Sequence, residues 1–421
     1  MTTYRQVLAV PGMPSLLGVS LVARLAIAAD VMALTMYVVL GLDLSYAAAG
    51  GVTAALTAGL ALGGPVLGRM IDRHGLRAVV LATVAMQGVF WLSIPVLPYA
   101  LLLGAAFLAG VLMVPVQLVN KLGIAALTTA NQRQAAFSLD AVQGELSYLL
   151  GPSVVVLCAA QTSPHAVAWG VGAAIVAGGV GLLLLNPPLR ADGEVDASAH
   201  QRPPRRTWLG IGMTAVLTMV LGTTTLLAGV DLAIVATLEA AGQVSWAAVV
   251  IAVFGVASVA GGLIYGTLPR PMPSWLLLGL LGLVTIPAGL AHDWRWLCLA
   301  AVGAGLLTAP TLSTLADAVS RLAPASVRGE ATGVQSAAHS AGLALGSLIG
   351  GLAIDVSGPG GGFATVGLAG LVAASTGYLL ARRASRRSSR WARRSVEEHR
   401  NATPLVTPQR NQDVVRTGTR T

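Results

Sequence analysis

From about residue 15 to residue 381 the chain is a succession of apolar runs, each close to twenty residues long. Short turns between them hold nearly all of the charge. That pattern restricts the fold more than any motif does. About 20 apolar residues let a helix cross the hydrocarbon of a bilayer, and only helices or closed barrels satisfy their backbone there. Hydrophobic residues make up 55% of the chain and charged residues 10%, with a mean hydropathy of +0.75. A soluble domain carries about 25% charge. The expected fold class is all-α integral membrane. Breaks at charge clusters and Pro/Gly turns mark twelve spans, at 15–39, 46–67, 78–97, 99–121, 135–160, 166–186, 208–237, 244–268, 274–291, 296–318, 328–353 and 361–381.

Basic residues set the orientation, because cytoplasmic loops collect Arg and Lys. With the N-terminus inside, every basic residue falls in a cytoplasmic loop or in the C-terminal tail, except Arg24 within span 1 and Arg295 outside. Lys121 is placed in a loop by this count. An odd number of spans would put the basic tail on the wrong side, so twelve spans and two cytoplasmic termini are expected, in the plasma (inner) membrane of a bacterium. The single Lys among so many Arg points to a high-GC bacterial genome. The first apolar run is too long for a cleaved signal and is followed by another span. Cys158 and Cys298 lie in apolar segments and are expected to be free.

The chain divides at residues 187–207, a stretch rich in Pro and charge. On either side lie bundles of six spans, 1–186 and 208–381, followed by a basic tail, 382–421, expected to be disordered. The halves echo each other. GGPVLG at 63–68 matches GGLIYG at 261–266, and Val142–Gln143 matches Val334–Gln335. Glycines four apart mark close helix contacts: Gly59 and Gly63, then Gly64 and Gly68, in span 2, and Gly342, Gly346 and Gly350 in span 11.

Between spans 2 and 3 the chain reads Gly68, Arg69, Met70, Ile71, Asp72, Arg73, His74, Gly75, Leu76, Arg77. The glycines allow a sharp turn and close approach. An Asp beside a helix N-terminus meets a positive dipole, and the arginines hold the basic rim. This resembles the signature loop of the major facilitator superfamily, G-x-x-x-D-R-x-G-R/K-R/K, with one departure: Leu76 stands where the first of the two final basic residues belongs. The second copy of the loop has decayed, with Arg270 and Pro271 at the matching positions. Gly151-Pro152, late in span 5, resembles in part the antiporter signature of the drug:proton exchangers of that superfamily. Ser147, Val155 and Val156 depart from that pattern.

A charge inside hydrocarbon is costly and is kept for a partner or a function. The candidates are Arg24 and Asp30 in span 1, Asp140 and Glu145 in span 5, Asp231 in span 7, Asp317 in span 10 and His339 in span 11. At 1.5 Å per residue from the assumed span ends, Arg24 lies roughly 12 Å deep, Glu145 roughly 15 Å and Asp140 roughly 7 Å. Glu145 is therefore the expected partner of Arg24, and Asp140 that of the Arg73 loop. Glu145 is the candidate proton carrier, and Asp30 the substrate contact or second acid. His339 reads as a helix contact, with a titrating role the lesser reading.

No metal cluster, phosphate loop or nucleophile–base spacing stands out, so neither an enzyme nor a cofactor is expected. The net charge of +9 reflects topology and tail rather than nucleic-acid binding. The resemblance implies two six-helix bundles that alternate access for a small molecule. It also implies spans 1, 4, 7 and 10 around the cavity, spans 2 and 11 in contact across the halves, and a monomer. Few amides sit in the spans (Gln87, Gln117, Asn120, Gln143 and Gln335 are the main ones), which favours proton-coupled efflux. Proton-coupled uptake of a metabolite and a non-transporting membrane sensor are the alternatives.

Overall fold

The computed structural model describes residues 2–159, 161–190 and 203–402. It is helical throughout, with no strand among the described residues. A short N-terminal helix, Thr2–Leu8, precedes the first long one. Ten helices are long and apolar enough to cross a membrane, and a shorter apolar helix, Ser274–Leu290, adds another. The longest of the ten, Ala325–Ala384, holds two spans, because Gly358 takes a left-handed φ of 75° just before Pro359. The total is twelve.

In chain order they are α1 (Met13–Met36), α2 (Tyr46–His74), α3 (Leu76–Ser93), α4 (Tyr99–Val111 and Val116–Leu127), α5 (Ala130–Ala159) and α6 (Pro164–Leu185). The second six are α7 (Ile211–Ala240), α8 (Ala247–Tyr265), α9 (Ser274–Thr285), α10 (Trp294–Leu322), α11 (328–357) and α12 (from 359). Caps follow ordinary chemistry: Ser45, Ser163 and Asp293 each accept a backbone N–H from the first turn of their helices. Outward faces carry large exposed apolar side chains such as Leu92, Leu184 and Val256, the surface a bilayer covers.

Two apolar cores form. One is drawn from residues 16–182 and the other from residues 208–374. A smaller cluster joins them, with Val7, Met13, Leu17, Ile124 and Phe137 against Ala316 of α10. It sits at the end of the bundle that carries the Asp72 loop. Other bridges lie at that same end. The Tyr4 hydroxyl donates to the Leu263 carbonyl at 2.7 Å, and Gln134 Nε2 donates to the Tyr265 carbonyl at 2.7 Å. The two halves thus close on each other at the basic end.

The glycine stripes divide their work. Gly59 and Gly63 lie against the backbone of α4, inside the first half. Gly64 and Gly68, one position further round, face Gly333 and Gly329 of α11, and a Cβ on Gly64 would come 2.9 Å from the Gly333 carbonyl oxygen. The α2–α11 contact across the halves therefore uses this second pair. Gly342, Gly346 and Gly350 instead pack on α7, at Leu221, Thr225 and Gly229.

Three boundaries depart from the sequence-based reading. α5 starts at Ala130 rather than 135, and α4 runs to Leu127 rather than 121. The last helix continues to Ala402 rather than ending at 381, since no Gly or Pro interrupts residues 378–402. The rest of the tail, 403–421, and the middle of the linker, 191–202, lie outside the described residues.

Candidate functional site

The loop between α2 and α3 turns at Gly75, whose φ of 82° favours glycine. Asp72, on the last turn of α2, reaches the start of α11. Its two carboxylate oxygens accept the backbone N–H of Gly329 at 3.1 Å and of Glu330 at 2.8 Å. Those donors have no partner within their own helix, and the dipole favours an anion there. Glu330 in turn pairs with Arg205 at 2.5 Å and more loosely with Arg69 at 4.0 Å. Arg73 and Arg77 are exposed. Leu76 departs from the signature because it opens α3 and is buried in the first core.

Inside the first half the buried charges pair otherwise than depth counting implied. Arg24 Nη2 meets Asp140 Oδ1 at 2.5 Å, and Nη1 donates to the Asp140 carbonyl at 2.9 Å. Asn120 Nδ2 donates to the same carboxylate at 2.6 Å, and Ser20 donates to Asn120 at 3.1 Å. Glu145 is thus not the partner of Arg24, and Asp140 does not serve the Arg73 loop. The cause is the early start of α5. Five further residues put Asp140 about 15 Å along α5, level with Arg24 at about 16 Å along α1.

Glu145 points elsewhere, as an offset of about 140° from Asp140 requires. It faces the second half, where Ser258 of α8 and Asp231 of α7 lie close enough to act on it. Tyr148, one turn on, donates its hydroxyl to Asp231 Oδ2 at 3.3 Å. Both carboxylates are half-buried, and among the described residues neither has a cation within ion-pair distance. Asp231 therefore sits where the halves meet. Asp30 is buried at 4% exposure, likewise with no ion pair among the described residues. Asp317 is held by Arg321 at 3.1 Å.

Lys121 corrects another assignment. It lies within the second segment of α4, half-buried, not in a loop. The charges of Asp140 and Arg24 act on it, and its own charge acts on His339 of α11. α4 is broken just before this segment, at 112–115. Gln87 of α3 repairs the break by donating to the carbonyls of Ala109 at 2.8 Å and Leu112 at 3.4 Å. Gly151 marks a close approach of α5 to α1, where a Cβ would lie 2.9 Å from the Leu25 carbonyl oxygen. Pro152 is accommodated within α5. Cys158 and Cys298 are free thiols. No cluster of potential metal ligands occurs among the described residues.

The family described as Major Facilitator Superfamily matches residues 16–292 and 212–414. The chain belongs to the major facilitator superfamily. No curated protein sequence matches it significantly. Three solved structures of similar fold are distant in sequence. The human organic anion transporter MFSD10 (TETRAN) is 15% identical, with a TM-score of 0.68 over 87% of this chain and 99% of that one. A bacterial homologue of the iron transporter ferroportin, in an outward-facing state, is 16% identical, with a TM-score of 0.68 over 87% of this chain and 98% of that one. The transporter FucP in its outward conformation is 14% identical, with a TM-score of 0.61 over 87% and 98%.

Membership makes this a multi-pass membrane protein of transporter fold. The Asp72 carboxylate sits where the α11 amides receive it. The Arg24–Asp140–Asn120 network and the Tyr148–Asp231 bond were not legible as such. The Thr129-x-x-Gln132 spacing, a capping box, was the signal for the true start of α5. Gln132 Oε1 accepts the Thr129 N–H at 3.2 Å.

Proposed function

We propose that the protein is a proton-coupled exporter of a small molecule, with Glu145 as the proton carrier. It works as a monomer in the plasma membrane, with both termini cytoplasmic. The moving units are residues 1–186 and 208–381, joined by 187–207. The carrying observation is the pair of cation-free carboxylates, Glu145 on α5 and Asp231 on α7, with Tyr148 of α5 bonded to Asp231 across the halves and the Asp231 charge acting on Glu145. Two like charges at such a contact repel, and a proton on one removes the repulsion. Losing the proton favours separation of α5 from the second half, and regaining it lets the halves meet. Substrate movement is thereby linked to proton movement.

Arg24 keeps a structural role, holding Asp140 and Asn120 in a fixed interior. The Asp72 loop closes the cytoplasmic face, a closure that fits an outward-facing carrier. Export is favoured by the Gly151-Pro152 element, whose glycine seats α5 on α1, and by the scarcity of amides in the spans. The test is a panel of small molecules offered to proteoliposomes under an imposed pH gradient, with intravesicular pH read out. Substrate-dependent proton flux is expected. A panel whose members move with no change in internal pH would remove the coupling.

A further inference from the structure

Lys121 is the only lysine in the chain, and every other basic residue is Arg. An exclusive preference for Arg makes a lone interior Lys informative. An ammonium is a compact point charge with three donors, whereas a guanidinium is a planar fork.

The placement is specific. Asn120 and Leu122 on either side are buried, while Lys121 is half-buried. Gln117, one turn earlier on the same face, is exposed. The segment Val116–Leu127 packs against α10 and α11 of the other half. Lys121 acts electrostatically on His339 of α11. This face therefore looks at the other half, not at lipid. It follows directly after the break in α4, and broken helices of transporters border their binding sites.

The charge count at this level is uneven. Arg24 and Asp140 cancel each other. Lys121 has no carboxylate within ion-pair distance among the described residues, so one positive charge is left over. Glu145 and Asp231 are not among the groups whose charge acts on it. An uncompensated cation inside a bundle is unfavourable and calls for an anion. The Arg24 guanidinium also keeps a buried Nε without a partner, a second donor beside it.

We propose that Lys121 is the docking point for the substrate and that the substrate is a small organic carboxylate with one negative charge, seated between α4 and α11, an assignment that rests on the transport reading but not on its proton coupling. The carboxylate neutralises Lys121 on the first half and meets His339 on the second, so occupancy is sensed by both.

The unique amine provides the test. Purified full-length protein in proteoliposomes is treated with sulfosuccinimidyl acetate, which acylates amines and does not cross membranes. Peptide mass separates Lys121 from the N-terminal amine. Benzoate, lactate and octanoate are the competitors, with choline and glucose as cationic and neutral controls. Protection follows 1 + [L]/Kd, so a ligand at about ten times its Kd slows acylation about ten-fold. At least one carboxylate is expected to slow Lys121 acylation, with choline and glucose inert, and Glu145→Gln protein is expected to behave the same without any pH gradient. Equal rates with all carboxylates, or protection by choline, overturn the proposal. As a second reading, Lys121→Gln that still elutes as a monodisperse folded protein should lose the thermal shift given by the protecting carboxylate. A retained shift overturns the assignment as well.

Discussion

The interiors of the two halves are built on different chemistry. In the first, polar side chains reach across helices: α1, α4 and α5 are tied by Ser20, Arg24, Asn120 and Asp140. In the second, most buried hydroxyls turn back on their own helix. Thr223, Thr224, Thr237, Thr285, Thr308 and Thr311 each donate to the carbonyl four residues earlier. There the helices meet through small residues instead, Gly342, Gly346 and Gly350 against α7. A cross-helix charge network fixes one geometry, because leaving any member unpaired in hydrocarbon is costly. Self-satisfied hydroxyls and glycine contacts leave helix backbones free to sit close without dictating a polar match. The first half thus carries the cross-helix charge network, and the second packs through small residues, with Asp231 and His339 at its edge.

The contrast is broken most directly by Arg24→Ala. It strands the Asp140 carboxylate, and removing one member of a buried pair costs about 3–5 kcal/mol. The matching change in the second half, Thr223→Val, removes only a local hydroxyl bond and should stay within about 1 kcal/mol. Thermal unfolding in detergent compares the two. Equal shifts would erase the distinction. Arg24→Ala combined with Asp140→Ala should recover part of the loss.

Next in size is Gly342→Ala, where a methyl would lie 2.5 Å from the Leu221 carbonyl oxygen. Overpacking of this kind costs about 1–3 kcal/mol. Gly104→Ala, with nothing within 4 Å, should be neutral. The same melting assay distinguishes them.

Asp72→Asn acts on closure rather than on either core. It weakens the α11 cap by about 0.3–2 kcal/mol. The expected result is lower transport with folded protein still in the membrane, and wider spin-label distances between 134 and 268. Unchanged rates would remove the gating role of the loop.

The smallest effect concerns Tyr4, outside the spans. Its burial against α8 pushes the phenol from its usual 10 up to about 12. A raised value favours the neutral hydroxyl in the folded state. The contribution of this clamp is full below pH 10 and is lost as pH rises from 10 towards 12. Tyr4→Phe should flatten that alkaline slope of stability. An unaltered slope would assign it to another group.

Much of this was legible in the sequence. Apolar run length counted the spans, because that signal is local and repeats, and the α2–α11 contact followed from the family resemblance of the Asp72 loop, whereas the Gly342, Gly346 and Gly350 stripe packs on α7. The pairing of Arg24 was not legible. It depended on the start of α5, and the polar run Ala130-Asn131-Gln132-Arg133-Gln134 read as loop although Thr129 and Gln132 cap a helix there. A five-residue shift changes depth by about 7.5 Å and exchanges one carboxylate for the other. Lys121 was misplaced for a related reason. Positive charge was assigned to loops by rule, while α4 continued past its break to Leu127. Which glycine stripe met which helix was open as well, since one residue of rotation separates Gly63 from Gly64.

Proton flux in Glu145→Gln proteoliposomes tests the central claim most directly. With a substrate found in the panel, wild-type protein should move protons in step with substrate, read as a change of intravesicular pH. Glu145→Gln should lose that change and the ability to concentrate substrate, while downhill exchange continues. If Glu145→Gln still concentrates substrate against its gradient with unchanged proton movement, the coupling lies elsewhere, and Asp30 becomes the group to test.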